Sequence, residues 1–255
     1  MGKIISYIIF DLIRNRVLIA YTLFLFLLSM GMFGLQGQQE KALLTLLNVA
    51  LIAIPLMSLV FSTIHFYNST EFIELLLAQP LQRKTILLSQ YHTLSLALGG
   101  AFLIGIGLPV LMYSPTAVGF WLIVGGLLIT LIFVALAGLA SVITRDKAKG
   151  IGLALLLWLY FALLFDSIVL LILYNFSDYP MEKPMLILSL LNPIDLSRLM
   201  VILKMEASAL MGFTAAVFRE FLGTSKGLVI ALFAMSLWML LPTGLAVAFF
   251  KRKDL

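Results

Sequence analysis

Long apolar runs separated by short polar segments form the main pattern of the chain. Each run is close to the roughly 20 residues that a helix needs to cross a hydrocarbon core about 30 Å thick. The runs predict six membrane-spanning helices, at about 17–35, 42–67, 88–113, 119–144, 151–174 and 228–250. The segment 175–227, between the fifth and sixth runs, is too polar to span.

The first 16 residues repeat their apolar positions at helical spacing, with Lys3, Asp11, Arg14 and Arg16 among the others. Such a pattern predicts an amphipathic helix at the membrane interface. The predicted fold class is therefore all-α: one polytopic membrane domain over 1–255, with this N-terminal helix, a cytoplasmic loop at 68–86 and an outer segment at 175–227.

Composition excludes a soluble globule, because 62% of the residues are hydrophobic and 11% are charged. The net charge of +5 does not indicate nucleic-acid binding, since the basic residues are scattered between apolar runs. The positive-inside rule explains them better. With both termini in the cytoplasm, eleven of the 17 basic residues fall inside: Lys3, Arg14, Arg16, Arg83, Lys84, Arg145, Lys147, Lys149, Lys251, Arg252 and Lys253.

Motifs for hydrolysis are missing from the sequence, which carries no G-x-x-x-x-G-K-[ST] phosphate loop, no H-E-x-x-H pair and no G-x-S-x-G elbow. The only histidines are His65 and His92. They can pair with each other or with Glu71, but we favour ordinary interface positions for both. We therefore expect no enzyme activity in this chain, and an ATP-driven process would need a partner subunit.

The loop 71–84 carries the most informative local pattern. Glu71 and Glu74 lie three residues apart on one face of a short helix that Pro80 ends, and Arg83 follows at the membrane surface. This stretch resembles the loop after the second span of ABC-2 type permeases. The resemblance implies that Glu71, Glu74, Pro80 and Arg83 belong to a coupling helix that docks into a cytoplasmic ATPase. The six spans, the N-terminal helix and the outer segment also fit that family.

Two further stretches, 192–198 and 206–218, resemble the outer segment of the NosY family of ABC-2 (type V exporter-like) permeases. That resemblance implies a homodimer driven by a cytoplasmic NosF-like ATPase, which carries ATP and Mg. It also implies a periplasmic NosD-like β-helix partner, copper-site maturation of nitrous oxide reductase in denitrification, and a location in the bacterial inner membrane. The alternative is a general ABC-2 exporter that moves an amphiphilic small molecule or lipid.

The outer segment is expected to contain two helices, at 192–204 and 205–221. Pro193 and Asp195 suit the first turn of the former, and its apolar face is expected in the outer membrane boundary. The latter is small and apolar, which predicts a re-entrant hairpin. The expected docking residues for the periplasmic partner are Asn192, Pro193, Asp195, Arg198, Leu199 and Leu203.

Asp166 is the ionisable residue inside the fifth predicted span, and such a group is by default a candidate functional residue. A hydrogen bond between helices explains it equally well. Methionine is the one soft ligand here for Cu(I), and Met200, Met205 and Met211 fall in the outer segment. Methionine also fills irregular apolar gaps, so we favour packing and expect no metal site.

The topology itself is testable by labelling from one side. Cysteines that replace Lys147 and Lys183 are expected to react from opposite faces of the membrane, because the first lies in an inner loop and the second in the outer segment. The native chain has no cysteine, so no background signal arises. Reaction of both with an impermeant reagent added outside would contradict the topology.

Overall fold

The structure is a computed structural model that describes residues 2–78, 82–176, 179, 182–202, 204–205 and 225–252. All regular structure in these residues is helical. The helices are α1 (Gly2–Ile13), α2 (Arg16–Leu35), α3 (Gln39–Asn68), α4 (Thr70–Leu77), α5 (Arg83–Phe102), α6 (Leu108–Tyr113), α7 (Ala117–Ile143), α8 (Lys147–Leu159), α9 (Phe165–Asn175), α10 (Glu182–Leu190), α11 (Pro193–Ile202) and α12 (Ser225–Arg252).

Six of these helical stretches are long and apolar enough to cross a membrane, which confirms the predicted spans. Spans 1, 2, 4 and 6 are α2, α3, α7 and α12. Span 3 joins α5 to α6 through a π-helical section, Leu103–Gly107, and span 5 joins α8 to α9 through another, Tyr160–Leu164. The predicted N-terminal helix is also confirmed, and α1 packs against α5.

Side-chain caps fix where several spans begin. Asn15, Thr116 and Asp146 stand before α2, α7 and α8, and each accepts a hydrogen bond from a backbone N–H two or three residues later, at 2.9, 3.2 and 2.9 Å. These residue types satisfy the unpaired donors of a first helical turn. The polar residues between apolar runs therefore set the span boundaries.

Span 4 is the centre of the bundle, because α3, α5, α11 and α12 all pack against α7. Small residues allow the closest of these approaches. A side chain at Gly125 would meet the hydroxyl of Ser197 on α11, and one at Gly126 would meet the ring of Phe102. The glycine pair thus admits α11 on one side of span 4 and α5 on the other.

The turn between α10 and α11 lies beside the middle of two spans. The Asn192 amide donates to the carbonyl of Phe161 at 3.0 Å, and the Trp238 indole donates to the carbonyl of Leu190 at 3.0 Å. Phe161 lies about 20 Å along the helix from Asn175 at 1.5 Å per residue. Trp238 is halfway along α12. The two short helices therefore reach deep into the bundle.

The helix predicted at 192–204 is confirmed as α11. Its apolar face was expected at the outer membrane boundary, and that expectation is wrong. Leu196 and Met200 are fully buried against the bundle, where α7 and α12 cover them. The predicted hairpin at 205–221 lies outside the described residues apart from Met205, and Leu203 also lies outside them. In the described part of the segment 175–227, α10 and α11 are the helices that pack against the bundle.

The close contact of α11 with span 4 gives a stability prediction. Gly125→Val is expected to push α11 away through Ser197, and overpacking of this kind typically costs about 1–3 kcal/mol. The matched control is Gly152→Val, since a side chain at Gly152 meets nothing within 4 Å. Thermal unfolding in detergent, followed by the folded fraction on size exclusion, is expected to show a lower midpoint for Gly125→Val alone. Equal midpoints would contradict the packing role.

Candidate functional site

The short helix α4 forms the first candidate region, at the inner end of the predicted topology. It follows α3 after a single residue, Ser69, and buries Ile73 and Leu76 against the bundle. Glu71, Leu75 and Ala78 are exposed on the opposite side, at helical spacing, and Leu75 is 68% exposed. This face combines an acidic group with apolar surface, as a protein-binding helix requires.

The predicted coupling residues distribute around α4 as follows. Glu71 is exposed in the first turn of α4. Glu74 lies one turn further on, and its side chain is not among those that the structure describes. Pro80 lies outside the described residues, and Arg83 begins α5 with a partly buried side chain. The short helix at this position is confirmed. The contact of these residues with an ATPase stays a prediction.

Polar contacts connect the end of α3, just before α4, to the junction between spans 4 and 5. The Tyr67 hydroxyl bonds both to the hydroxyl of Thr144 and to its carbonyl, the latter at 3.1 Å. Lys147 donates to the Asn68 side chain at 2.7 Å. Sequence reasoning missed this brace, because these partners are 77 to 79 residues apart and no local pattern links them.

The two histidines each bond within their own helix, four residues away. The His65 ring lies 3.3 Å from the Ser69 hydroxyl, and His92 donates from Nδ1 to the carbonyl of Leu88 at 2.6 Å. These local bonds account for both rings as interface residues.

The second candidate region is a polar triad of Asp166, Asp195 and Arg198, between span 5 and α11. A single guanidinium nitrogen, Nη1 of Arg198, donates to Asp166 at 3.1 Å and to Asp195 at 3.3 Å. Asp166 therefore has a charged partner, which the sequence did not name. One cation serves two carboxylates.

Asn192 joins the triad to the turn before α11. Its side chain is fully buried, its Oδ1 accepts from the backbone N–H of Ile194 at 3.0 Å, and its Nδ2 donates to Asp195 at 3.1 Å as well as to Phe161. Phe161 lies in the π-helical section of span 5, and single π turns inside α-helices are frequent at functional sites. Asn192 thus ties the turn, the triad and span 5 together.

The surroundings of the triad disfavour two negative charges. The pKa of Asp195 is raised from 3.8 to about 7, chiefly by burial and then by the charge of Asp166, against an opposing decrease from Arg198. The side chain of Asp195 is 17% exposed, whereas those of Arg198 and Asp166 are 33% and 35% exposed. The surroundings of Asp195 therefore favour its protonated form.

The structure unites residues that the sequence had assigned to two separate sites. Asp195 and Arg198, expected at a docking surface, bond to Asp166, expected as an isolated group in span 5. Asn192 and Pro193 are buried rather than exposed, and Leu199 is partly buried. Opposite charges in apolar segments usually pair, and that rule was the one sequence signal for this triad.

The outer methionines lie in apolar packing where the structure describes them. Met185, Met200 and Met205 are buried, and the latter two belong to the main hydrophobic core. Within the described ranges, no three His, Asp or Glu side chains are placed to share a metal ion. The burial of these methionines is consistent with a packing role.

Comparison with known proteins places most of the chain in one context. A sequence model of the family described as "ABC-2 family transporter protein" matches residues 9–255. The chain is 30% identical over 266 residues to a protein named "Probable ABC transporter permease protein NosY" from Pseudomonas aeruginosa, covering 96% of this chain and 95% of that protein. A protein of the same name from Stutzerimonas stutzeri is 31% identical over 221 residues, covering 78% and 79%.

The triad predicts an asymmetry between two substitutions. Arg198→Met leaves Asp166 and Asp195 together without their cation. We expect a loss between about 1 kcal/mol, as for exposed pairs, and about 3 kcal/mol, as for buried ones, because the triad is partly exposed. Asp195→Asn retains hydrogen bonding and removes the surplus charge, so its unfolding midpoint at neutral pH is expected to stay within a few degrees of wild type. Equal destabilisation by both would contradict the charge balance.

Proposed function

Because the chain belongs to the ABC-2 family of transporter proteins, we propose that it is the permease subunit of a complex whose separate cytoplasmic ATPase binds ATP and Mg. The observation that carries this proposal is the exposed Glu71–Leu75–Ala78 face of α4, on a chain that matches the family over nearly its whole length. A short helix between two spans moves as one rigid body. The ATPase therefore acts on the permease through α4.

Within that family, the proposed role is that of NosY: two copies of this chain in the inner membrane, both termini cytoplasmic, driven by a NosF-like ATPase. The movement is passed to a NosD-like periplasmic β-helix protein for copper-site maturation of nitrous oxide reductase. Support comes from similarity to two proteins that carry the name NosY, one of them over 96% of this chain. In this role the permease transmits force rather than performing chemistry.

Span 5 supplies a structural route from the inner side to the outer side. At one end, Lys147 bonds to Asn68, the last residue of α3 before α4. Further along, the same span holds α11 through the carbonyl of Phe161 and the carboxylate of Asp166. A displacement of α4 can therefore reach the outer helices through one continuous helix that has a contact at each stage.

The outer helices α10 and α11 form a re-entrant pair in this proposal. Their turn is beside the middle of spans 5 and 6, where Asn192 of the turn donates to the carbonyl of Phe161 and the carbonyl of Leu190 accepts from Trp238. Such irregular backbone is tolerated at membrane depth only where protein shields it. Since Asn192 and Pro193 are buried, partner docking falls to the outward end of α11, where Lys204 is exposed, and to the chain beyond it.

The coupling proposal predicts loss of ATPase binding without loss of folding. Glu71→Lys combined with Glu74→Lys reverses the acidic face of α4, and Leu75→Asp places a charge in its apolar part. Both variants are expected to insert normally but to retain less than a tenth of the ATPase that co-purifies with wild type, since a central interface residue is often worth more than about 2 kcal/mol. Copper loading of nitrous oxide reductase in cells is expected to fall in parallel.

Leu35→Asp is the matched control, because Leu35 is an exposed leucine, at 86% against 68% for Leu75, and lies at the C-terminal end of span 1, away from α4 in the predicted topology. It is expected to keep full ATPase binding. Undiminished binding by both α4 variants would refute the assignment. A wild-type chain that co-purifies with an ATPase but without a periplasmic β-helix protein, and shows ATP-dependent solute flux in vesicles, would instead favour a general exporter.

A further inference from the structure

The triad has one negative charge more than its single cation can balance. A guanidinium remains protonated in proteins, so ionised Asp166 and Asp195 leave a net charge of −1 beside Arg198. The neighbouring Leu196 and Val201 are buried, and apolar surroundings make an uncompensated charge costly. A single bound proton removes the imbalance while Arg198 stays paired.

We propose that the Asp166–Asp195–Arg198 triad is a proton-binding site, which holds one proton while α11 is docked on span 5 and releases it when α11 undocks. Asp195 is the proton acceptor, because it is the less exposed carboxylate. A protonated Asp195 can donate to Asp166, which leaves Arg198 balanced by one carboxylate. The link to ATP-driven movement rests on the proposed function, whereas proton binding by the docked chain does not.

Among the residues that the structure describes, the elements packed around α11 bring no other charge to the site. Span 4 has no ionisable residue within Ala117–Ile143, and α11 itself has only Asp195 and Arg198. The remaining ionisable residues of the packed elements lie near helix ends or are tyrosines of span 5: Glu40, Lys41, His65 and Tyr67 of span 2, Lys147, Lys149, Tyr160 and Tyr174 of span 5, Glu182 and Lys183 of α10, and Lys226, Lys251 and Arg252 of α12. Asp166 is the charged group that faces Asp195 from span 5.

The direction of the pH effect follows from the two states of Asp195. In the docked state its pKa is about 7. In water an aspartate titrates near pH 4, at about 3.9. Between these values the docked form binds more protons than the undocked form, so docking is strongest at low pH and weakens as the pH rises to about 7. Above that pH the effect levels off. One proton changes the equilibrium by at most tenfold per pH unit.

Part of the triad lies at the surface of the helical bundle. Asp166 and Arg198 are each about one-third exposed there, at 35% and 33%. The fully buried Asn192 closes the other side toward the carbonyl of Phe161. Protons therefore reach the triad from its exposed side, and a cycle that undocks α11 releases up to one proton per chain.

The cysteine-free chain allows a direct test of docking. Val201→Cys places a thiol of similar size at a buried position of α11, and Tyr179→Cys places one at an exposed position. The full chain in nanodiscs is treated with an impermeant thiol reagent between pH 5 and pH 8. The labelling rate at position 201 is divided by that at position 179, which removes the pH dependence of the thiol itself. The ratio is expected to rise at least tenfold up to about pH 7 and then level off.

Three further substitutions, each combined with Val201→Cys, show which carboxylate causes the pH dependence. Asp195→Asn is expected to give slow labelling with no pH dependence, because it mimics the protonated state. Asp166→Asn removes a neighbouring charge and is expected to shift the rise to lower pH. Glu40→Gln, at an exposed carboxylate of span 2, is the matched control and is expected to leave the wild-type profile. A flat profile in the parent, or an unchanged profile in Asp195→Asn, would overturn the proposal.

Infrared titration of the unmodified chain tests the same site without a cysteine. A protonated carboxylic acid band is expected to disappear as the pH is raised through about 7, and Asp195→Asn is expected to lack that change. The absence of such a band in wild type would also overturn the proposal. Neither measurement needs an ATPase, so a failed coupling experiment and a failed proton site give different results.

Discussion

Backbone groups inside an apolar bundle must find partners within the protein, and the turn between α10 and α11 is where this requirement is most severe. The turn interrupts the helical hydrogen bonds beside the middle of spans 5 and 6, away from either end. An unpaired buried donor or acceptor costs about 1–3 kcal/mol. The side chains of Asn192 and Trp238 avoid this cost by donating to the carbonyls of Phe161 and Leu190. The position of α11, and with it the triad, depends on these bonds.

Each π-helical section in the spans offers a carbonyl to a neighbouring helix. In span 3 the carbonyl of Gly105 accepts from Ser29 of span 1 at 2.9 Å, and in span 5 that of Phe161 accepts from Asn192 at 3.0 Å. The extra residue of a π turn displaces the local hydrogen-bond pattern, which makes such sections suited to binding and to movement. In span 5 this section lies between the inner brace at Lys147 and the triad at Asp166. The π-helical section of span 5 thus lies on the proposed route from α4 to α11.

The polar contacts of this chain are of two kinds: some hold helices in place, and others change with the charge of the site. The brace of Tyr67, Asn68, Thr144 and Lys147 ties the end of α3, just before α4, to the start of span 5. The triad is unbalanced, because one guanidinium serves two carboxylates, and its stability responds to a proton. The proposed transmission of movement requires both kinds of contact. In that proposal the brace carries the displacement, and the triad lets α11 leave and return.

The sequence by itself determined the six spans, the amphipathic N-terminal helix, the short helix at Glu71 and the helical nature of 193–202. Each of these depends on periodicity, run length or a cap within a few residues, and such signals are local. Only the tertiary structure decided that α11 enters the bundle and that Asp166 pairs with Arg198, 32 residues away. The apolar face of α11 suits a membrane boundary and a protein interior equally well. Features elsewhere in the chain made the difference: the space above Gly125, the carbonyl of Phe161 and the indole of Trp238.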